Sequence, residues 1–223
     1  HLGGVGWGHG FWLALGAGPL FMLMGAGGYA YAPLAHGAVL QPGSMTLTSL
    51  CIAIAWFGDR MTPVRLLGIG LIVVGLGLVA GSGILEGGSM TWLGDLLFVG
   101  AGLSWAGYTV LLRRWSVEAL RGTAAVTLLS ALVAVVLGLA FGSFPRLWHL
   151  PLAMLLTQIV AQGVLAGFVA VIFYAQSVAL LGSARATLFP AIVPAIAVIA
   201  GIPITGEWPT GLQWLGVTVV TAG

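Results

Sequence analysis

Gln158 and Gln162 are polar side chains inside a long apolar segment, and their spacing makes them candidates for binding chemistry. Residues four apart lie one turn apart on a helix, so the two amides would share one face. That face is either a polar strip that contacts a bound molecule or a set of hydrogen bonds to a neighbouring helix. The spacing leaves both interpretations open.

Prolines interrupt two other apolar segments. Pro42, which follows Gln41, removes one backbone hydrogen bond, bends the helix and frees a carbonyl group. Pro190 and Pro194 have the same effect in a later segment. The alternative is that these are ordinary prolines of the kind that membrane helices tolerate.

Aromatic and histidine side chains supply three further candidates. Trp105 and Tyr108 lie in the middle of an apolar segment, away from the interfacial positions where Trp and Tyr usually collect. They form either an aromatic wall of a cavity or ordinary packing. His36 lies near the start of another segment, and we interpret it as a solvated residue at the membrane interface, with pH sensing as the alternative.

The sequence contains no catalytic or metal-binding pattern. The four histidines are scattered, at positions 1, 9, 36 and 149, and there is no HExxH motif or pair of acids. Cys51 is the single cysteine, so no disulfide and no cysteine-based metal site can form within this chain. We therefore expect no enzyme activity, no metal site and no cofactor.

The elements that position these residues are membrane spans. Of the 223 residues, 60% are hydrophobic and 5% are charged, whereas a soluble domain carries about 25% charged residues. So little charge cannot cover a surface that faces water, which indicates an integral membrane protein in a lipid bilayer. The seven basic residues are also too few for a nucleic-acid surface, so no nucleic-acid partner is expected.

Seven apolar runs are long enough to cross a membrane, and they must be helices because backbone polar groups in lipid have to be bonded within the segment. They cover 11–31, 33–57, 63–81, 92–112, 122–142, 152–181 and 183–204. An eighth run, 211–223, is shorter than the roughly 20 residues that a span needs. Six of the seven arginines fall in alternate loops, which we assign to the cytoplasm.

One stretch occurs twice and organises the chain. The copies are GDRMTPVRLLGIGLIVVG at 58–75 and GEWPTGLQWLGVTVVTAG at 206–223. At a constant offset of 148, Gly58 matches Gly206 and Thr62 matches Thr210. In each copy the glycine is expected to end one helix and the threonine to cap the next.

The two copies have opposite orientations. Five apolar runs lie between Thr62 and Thr210, and an odd number places the two corners on opposite faces of the membrane. An inverted repeat of this kind is typical of secondary transporters. Pro42 and Pro190 share the offset of 148, and paired helix breaks in inverted halves indicate a transport site.

An ordered set of stretches carries a resemblance to a known family. The set is AYAPLAHGAVLQPG (30–43) leading to the first copy, GDLLFVGAGLSWAGYTVLLRR (94–114), and ALLGSARATLFPAIVP (179–194) with GEWPTGLQWLG. In this order they resemble the EamA-type members of the drug/metabolite transporter superfamily. The resemblance implies an all-α integral membrane protein with a ten-helix fold, built as an inverted repeat of two five-helix units around a central cavity.

The resemblance also implies how the chain is divided. Residues 1–86 would form a first EamA-like unit that lacks its first two helices, and residues 91–223 a second unit with a truncated last helix. The chain would then hold seven complete helices and part of an eighth, and the symmetry of the repeat places roughly 60 residues before His1. We expect a multi-pass protein of the bacterial inner (plasma) membrane.

The expected function is a secondary transporter that exports small solutes by alternating access. By the resemblance, the helices that carry Gln41, Trp105, Gln158 and Pro190 line the cavity. These candidates carry no fixed charge, which predicts small neutral or zwitterionic metabolites such as amino acids. The alternative is a non-transporting membrane subunit that assembles through Gly-rich helix faces.

The coupling ion is left open by the sequence. An embedded carboxylate is the common proton site of a carrier. All five acids lie at or near the ends of the apolar runs: Asp59, Glu86, Asp95, Glu118 and Glu207. Either a coupling acid lies in helices that precede His1, or transport is facilitated and uncoupled.

Overall fold

The computed structural model describes residues 4–58, 60–85, 90–142, 149–169, 173, 180 and 188–223, without the side chains of 57, 84, 119, 167, 168 and 188–191. The described part is helical and contains no β-strand. Its α-helices are α1 (Trp7–Ala17), α2 (Pro19–Gly28), α3 (Leu34–Phe57), α4 (Pro63–Leu85), α5 (Thr91–Arg114), α6 (Ala119–Ala140), α7 (Leu152–Gln158), α8 (Leu188–Thr205) and α9 (Gly211–Ala222). A π-helix, Ile159–Val169, follows α7.

The chain forms two compact bodies. Body 1 comprises residues 1–133 and 193–223, and body 2 comprises residues 134–192. Body 2 holds the last residues of α6, then α7 and the π-helix, which begins directly after Gln158. A π-helix longer than one turn is rare, and π-helical segments occur frequently at functional sites.

Five helical stretches are long and apolar enough to span a membrane. They are Trp7–Gly28, Leu34–Trp56, Pro63–Gly83, Thr91–Arg114 and Leu120–Ala140. These stretches correspond to the first five predicted runs, which are confirmed to within a few residues. Runs 152–181 and 183–204 include residues outside the described part, and their described pieces form the shorter apolar helices Leu152–Ala166 and Ile192–Thr205.

The first span is broken, although the run 11–31 predicts a single helix. α1 ends at Ala17 and α2 begins at Pro19. Proline has no N–H to continue the hydrogen-bond ladder. Gly18 between them has φ −104° and ψ −130°, and an added Cβ would collide with the Ala14 carbonyl and the Ser130 hydroxyl. Glycine fits this crowded break because it has no side chain.

Both predicted corners have the expected local structure. Gly58 ends α3 in the left-handed conformation with φ +67°, and Gly206 after α8 has φ +75°. Thr62 Oγ1 accepts the backbone N–H three residues later at 3.3 Å, and Thr210 Oγ1 does the same at 3.4 Å. The sequence prediction for these glycines and threonines is confirmed. A capping threonine contributes about 1 kcal/mol to helix stability.

α4 and α9 pack against each other through glycines. An added Cβ at Gly75 would lie 2.9 Å from the Gly216 carbonyl oxygen, and one at Gly216 would lie 2.9 Å from that of Gly75. Gly68 and Gly223 face each other in the same way at 2.7 Å. At the offset of 148, Gly68 corresponds to Gly216 and Gly75 to Gly223. If each glycine of one contact is replaced by its counterpart in the other copy, the result is the other contact. α4 and α9 are therefore antiparallel, and matched glycines of the two copies form both close contacts.

The main apolar core of body 1 lies between α3, α4, α5, α8 and α9. It contains Ala32, Ala35, Val39, Leu40, Val79, Phe98, Val198, Val217 and Val220. α8 approaches α3 at Gly201, where an added Cβ would collide with the Leu34 side chain. Lipid is as apolar as these side chains, so close packing rather than removal from water stabilises the core.

Body 1 has two chemically different ends. α3, α5 and α9 begin and α4 ends at one of them, which we call the outer end. α4 and α6 begin and α3 and α5 end at the other, which we call the arginine-rich end. The arginines of the arginine-rich end are Arg60, Arg65, Arg113, Arg114 and Arg121.

Candidate functional site

Four polar side chains from four helices meet at the outer end of body 1. His36 lies in the first turn of α3, Ser82 in the last turn of α4, Asp95 near the start of α5 and Gln213 in the first turn of α9. Their exposed fractions are 0%, 0%, 9% and 3%. We call these four residues the outer cluster. Buried polar groups are costly unless they bond to one another, so the geometry of these bonds decides what the cluster can do.

Hydrogen bonds connect the whole cluster through the His36 ring. His36 Nδ1 lies 2.6 Å from Asp95 Oδ1, a short distance that fits a bond to an ionised partner. His36 Nε2 lies 3.2 Å from Ser82 Oγ and 3.3 Å from Gln213 Nε2. Gln213 Nε2 also donates to Ser82 Oγ at 3.2 Å. The Ser82 hydroxyl donates to the Val79 carbonyl at 2.8 Å.

A capping box at the start of α9 fixes the direction of the Gln213 amide. Gln213 Oε1 accepts the Thr210 N–H at 3.0 Å, so the NH₂ group faces the cluster. One of its hydrogens goes to Ser82 Oγ, and the other points to His36 Nε2. At Nε2 the geometry fits either a lone pair that accepts from Gln213 or an N–H that donates to Ser82 Oγ, whose own hydrogen is on Val79.

The order Ser82–His36–Asp95 is that of a catalytic triad, but it does not form a nucleophilic site. Ser82 is fully buried, and its hydroxyl is directed at the Val79 carbonyl. A nucleophile must be able to reach a substrate atom. The arrangement is instead a buried hydrogen-bond network that joins α3, α4, α5 and α9.

Two clefts open at the outer end beside the cluster. One, of about 390 Å³, is lined by residues that include Tyr29, Gly83, Thr91 and Glu207. The other, of about 230 Å³, is lined by residues that include Leu34, Glu207, Trp208 and Gln213. Partial burial raises the pKa of the Tyr29 phenol, so this hydroxyl stays neutral. Each cleft is lined by one residue that adjoins His36, namely Gly83 in the first and Gln213 in the second.

Glu207 joins the second corner to the start of α3. Its Oε2 accepts the backbone N–H of Leu34 at 2.9 Å, although 173 residues separate the two. The first amides of a helix lack partners within the helix, and a carboxylate there also meets the positive end of the helix dipole. Glu207 lines both clefts. The acid of the second corner thus caps a distant helix and adds negative charge close to the cluster.

α3 continues through Pro42 without interruption, so the predicted helix break is not observed, and Gln41 and Pro42 are half-buried. Ser44 is buried and reaches the Gln41 carbonyl oxygen at 3.1 Å. The facing α5 approaches closely at Gly102, where an added Cβ would lie 2.6 Å from the same oxygen. The Gln41 amide faces Gly25 of α2, where an added Cβ would lie 3.3 Å from Oε1. Around Pro42 the structure brings together an amide, a hydroxyl and carbonyl groups.

Trp105 and Tyr108 lie in a second core, between α1, α5 and α6. Their ring centroids are 5.5 Å apart, and Trp105 lies 4.8 Å from the Phe21 ring. Tyr108 is 7% exposed, and an added Cβ at Gly16 would lie 3.0 Å from its own Cβ. These contacts support packing by Tyr108. The aromatic wall of a cavity stays a prediction.

The remaining predicted site residues lie on α7, the π-helix and α8. Gln158 ends α7 and Gln162 lies within the π-helix, and both are exposed. Pro190 belongs to the first turn of α8, and Pro194 is buried further along the same helix. The structure places the glutamines on either side of a change in helix type, and their binding role stays a prediction.

His36 is not the solvated interfacial residue that the sequence predicts, because it is fully buried among side chains of three other helices. Its partners Asp95 and Gln213 are 59 and 177 residues away in the chain, so local sequence patterns do not reveal them. One signal was available: the T-x-x-Q pattern ending at Gln213 is typical of a capping box. It places a glutamine in a first helical turn but does not name its partners.

Two of the acids weighed as coupling groups, Asp59 and Glu86, lie outside the described residues. Within the described part, no three His, Cys, Asp or Glu side chains lie together as a metal site would require.

Comparison with known proteins gives one match. A sequence model of the EamA-like transporter family matches residues 92–223, which is more than half of the chain. The matched region contains Asp95 and Gln213 of the outer cluster. Neither curated proteins nor solved structures gave a match.

Proposed function

The chain belongs to the EamA-like transporter family of the drug/metabolite transporter superfamily, and from this premise we propose a secondary transporter that exports small neutral or zwitterionic metabolites, such as amino acids, by alternating access. The family makes the chain an integral, multi-pass membrane transporter. The substrate class, the direction and the mechanism are the proposal. We place the protein in a bacterial inner (plasma) membrane with the arginine-rich end in the cytoplasm.

The distribution of charge supports a substrate without net charge. Among the described residues, the buried polar and charged side chains are His36, Ser44, Ser82, Thr91, Asp95 and Gln213. The acid in this set, Asp95, is paired with His36 at 2.6 Å. The polar groups around Pro42 are an amide, a hydroxyl and carbonyls, and such groups can form hydrogen bonds with neutral or zwitterionic molecules. A multiply charged solute would find no complementary fixed charge among them.

The reciprocal packing of α4 and α9 is the observation that carries the mechanism. Gly75 with Gly216 and Gly68 with Gly223 exchange under the offset of 148, which supports an inverted repeat of two five-helix units. Repeats related in this way can rock against each other around a site between them, and this motion is the usual basis of alternating access. The paired corners and the prolines within α3 and α8 are consistent with the same architecture.

Efflux from cells that express the full-length gene tests the proposed substrate class. The cells are loaded with a panel of amino acids, nucleosides, multiply charged organic anions and cationic dyes, and are compared with cells that carry an empty vector. We expect one class of neutral or zwitterionic solutes to leave faster. A preference for multiply charged anions would contradict the proposed substrate class.

Substitutions at equal membrane abundance then locate the cavity. We expect Gln41→Ala, Gln158→Ala and Gln162→Ala to change the selectivity or to lower efflux severalfold. Thr157→Ala is the matched control, because this exposed neighbour on α7 bonds the Ala153 carbonyl of its own helix at 2.7 Å. Equal effects of the control and the glutamine variants would argue against a polar strip.

One face of α4 favours the alternative of a non-transporting membrane subunit. Gly70, Gly77 and Gly81 have no atom within 4 Å of an added Cβ, so no described helix covers this face. Small-residue faces allow another helix to approach closely. If Gly77→Leu releases a co-purifying membrane protein while no solute moves in the wild type, the subunit function replaces the carrier.

A further inference from the structure

We propose that the outer cluster is a proton-binding site, with the proton on Nε2 of His36, and that this proton is the coupling ion of the carrier. The coupling role rests on the proposed function. Proton binding itself rests on the geometry of four buried side chains.

The cluster offers a hydrogen-bond partner to Nε2 in both protonation states. In the neutral state, Gln213 donates to the Nε2 lone pair across 3.3 Å. When a hydronium ion donates its proton, an O–H bond breaks, an N–H bond forms at that lone pair, and water is released. The new N–H then faces Ser82 Oγ at 3.2 Å, which keeps one acceptor lone pair free, because its own hydrogen is on Val79 and Gln213 uses the other lone pair.

The charges around His36 suit an added positive charge. Asp95 of α5 lies 2.6 Å from Nδ1, while Ser82 of α4 and Gln213 of α9 are neutral. The carboxylate of Glu207 lies at the start of the same helix, bonded to Leu34 N at 2.9 Å. The described arginines, by contrast, belong to the arginine-rich end. An imidazolium at this position is therefore stabilised by the Asp95 carboxylate, with Glu207 capping the helix two residues before it.

The clefts border residues on both sides of the ring, which is itself fully buried. Thr91, one turn before Asp95, and Gly83 line the cleft of about 390 Å³. An added Cβ at Gly83 would lie 3.1 Å from His36 Cε1, and the Asp95 side chain is 13% exposed. Gln213, the neighbour of Nε2, lines the cleft of about 230 Å³. A proton from the outer side can thus reach the cluster without crossing the apolar core.

Protonation changes which helices the cluster ties together. In the neutral state the Gln213–His36 bond joins α9 to α3. In the protonated state two donors face each other at this contact, so the bond is lost, and His36 is tied to Ser82 of α4 instead. α9 remains bound to α4 through the glycine contacts and through the bond from Gln213 to Ser82. The proton thus moves the attachment of the start of α3 from α9 to α4 within the α4–α9 pair.

Nitrogen NMR of the histidine rings tests proton binding without any solute. The full-length protein in lipid nanodiscs is labelled with ¹⁵N-histidine, and the His36 signals are assigned by their loss in His36→Gln. Between about pH 8.5 and about pH 4.5, a range that brackets ordinary histidine, we expect a change from the Nδ1–H tautomer to the doubly protonated ring. A His36 ring that stays neutral throughout would overturn the proposal.

Substitutions of Ser82 and Gln213, the two neighbours of His36 Nε2, are expected to change the proton affinity of the ring in opposite directions. Ser82→Ala removes the acceptor of the protonated form, so the proton concentration for half-protonation rises about tenfold. Gln213→Met removes the donor to the neutral form, so that concentration falls severalfold. Thr210→Ala is the matched control: it weakens the α9 cap but leaves both groups at Nε2, and a change of less than about twofold is expected. Shifts in the same direction for Ser82→Ala and Gln213→Met would show a purely structural cluster.

Proton movement with a solute tests the coupling role. Proteoliposomes that contain a pH-sensitive dye receive the solute found by efflux. We expect the internal pH to change in the wild type and at least tenfold less in His36→Gln, while solute binding is retained. Solute flux without proton movement would overturn the coupling role. A ring that titrates as expected, in a protein that moves no solute, would instead contradict the carrier function and leave the proton site standing.

Discussion

The two corners of the repeat share their local structure but differ in what they position. Each has a left-handed glycine and a capping threonine, and the third helical residue then follows. At the first corner this residue is Arg65, which is exposed and donates to the Arg60 carbonyl at 3.1 Å. At the second corner it is Gln213, which is buried and bonds to His36 and Ser82.

The comparison shows that different residues of one motif determine where a helix begins and what that helix contacts. The glycine and the threonine satisfy backbone groups and so determine where a helix begins. The side chain in the first turn determines what that helix is attached to. Arg65 attaches α4 to the exposed arginine-rich end, whereas Gln213 attaches α9 to a buried network that crosses four helices.

The largest difference between the corners in the free energy of unfolding is expected between His36→Ala, which removes the partner of Gln213, and Arg65→Ala, which removes the third helical residue of the first corner. His36→Ala leaves Asp95 buried without its partner and should cost about 3 kcal/mol or more of the free energy of unfolding. Arg65→Ala removes an exposed side chain and should change it by less than about 0.5 kcal/mol. Reversible unfolding with SDS in mixed micelles measures both values. Equal effects would mean that the cluster is not a buried network.

A second contrast concerns the helices that the corners begin. Gly75→Val inserts methyl groups against the Gly216 carbonyl, where an added Cβ would already lie at 2.9 Å, and should cost about 2 kcal/mol. Gly77→Val places the same side chain where no atom lies within 4 Å and should cost less than about 0.5 kcal/mol. The same unfolding assay compares them. A larger loss for Gly77→Val would contradict the contact between α4 and α9.

The two caps are expected to differ by a smaller amount. Thr62→Ala should cost about 0.5 kcal/mol, since its corner is exposed, whereas Thr210→Ala should cost closer to 2 kcal/mol because Thr210 is half-buried and caps the turn that holds the buried Gln213. Thermal unfolding of the two variants measures the difference. If Thr62→Ala cost more, the second corner would not have the special role that we assign to it.

The smallest effect is expected at Glu207. Glu207→Gln keeps an oxygen that can accept the Leu34 N–H but removes the charge at the start of α3, which should cost about 0.5 kcal/mol. Because the residue is exposed, the loss should shrink as salt is raised. Unfolding in low and high salt tests this, and a loss independent of salt would show that geometry matters there rather than charge.

Local features of the fold could be predicted from the sequence. The apolar runs, the left-handed glycines at 58 and 206 and the capping threonines follow from residue types over a few positions. The break at Gly18 was missed, although proline after glycine is a visible signal, because the surrounding apolar run was long enough to suggest one helix. Hydrophobic length alone does not show where the hydrogen-bond ladder stops.

The outer cluster could not be predicted in the same way. Its members lie in four helices, and each looks ordinary in its own segment: a serine, a histidine, an acid near a span end and a glutamine after a cap. Only packing brings the contacts of His36 with Asp95 and Gln213 below 3.5 Å. The predicted roles of Gln158 and Gln162 depend on solute binding, which helix geometry alone does not determine.

The bond between Glu207 and Leu34 has a consequence for biosynthesis. Leu34 is made 173 residues before the carboxylate that caps it. At a synthesis rate of 5–20 residues per second, the Leu34 N–H lacks that partner for roughly 10 to 35 seconds. Gln213, made shortly after Glu207, arrives at His36 equally late. The outer end is therefore finished only when the last described helix is inserted, so a nascent chain that stops early keeps unsatisfied polar groups there, a difference that membrane quality control can recognise.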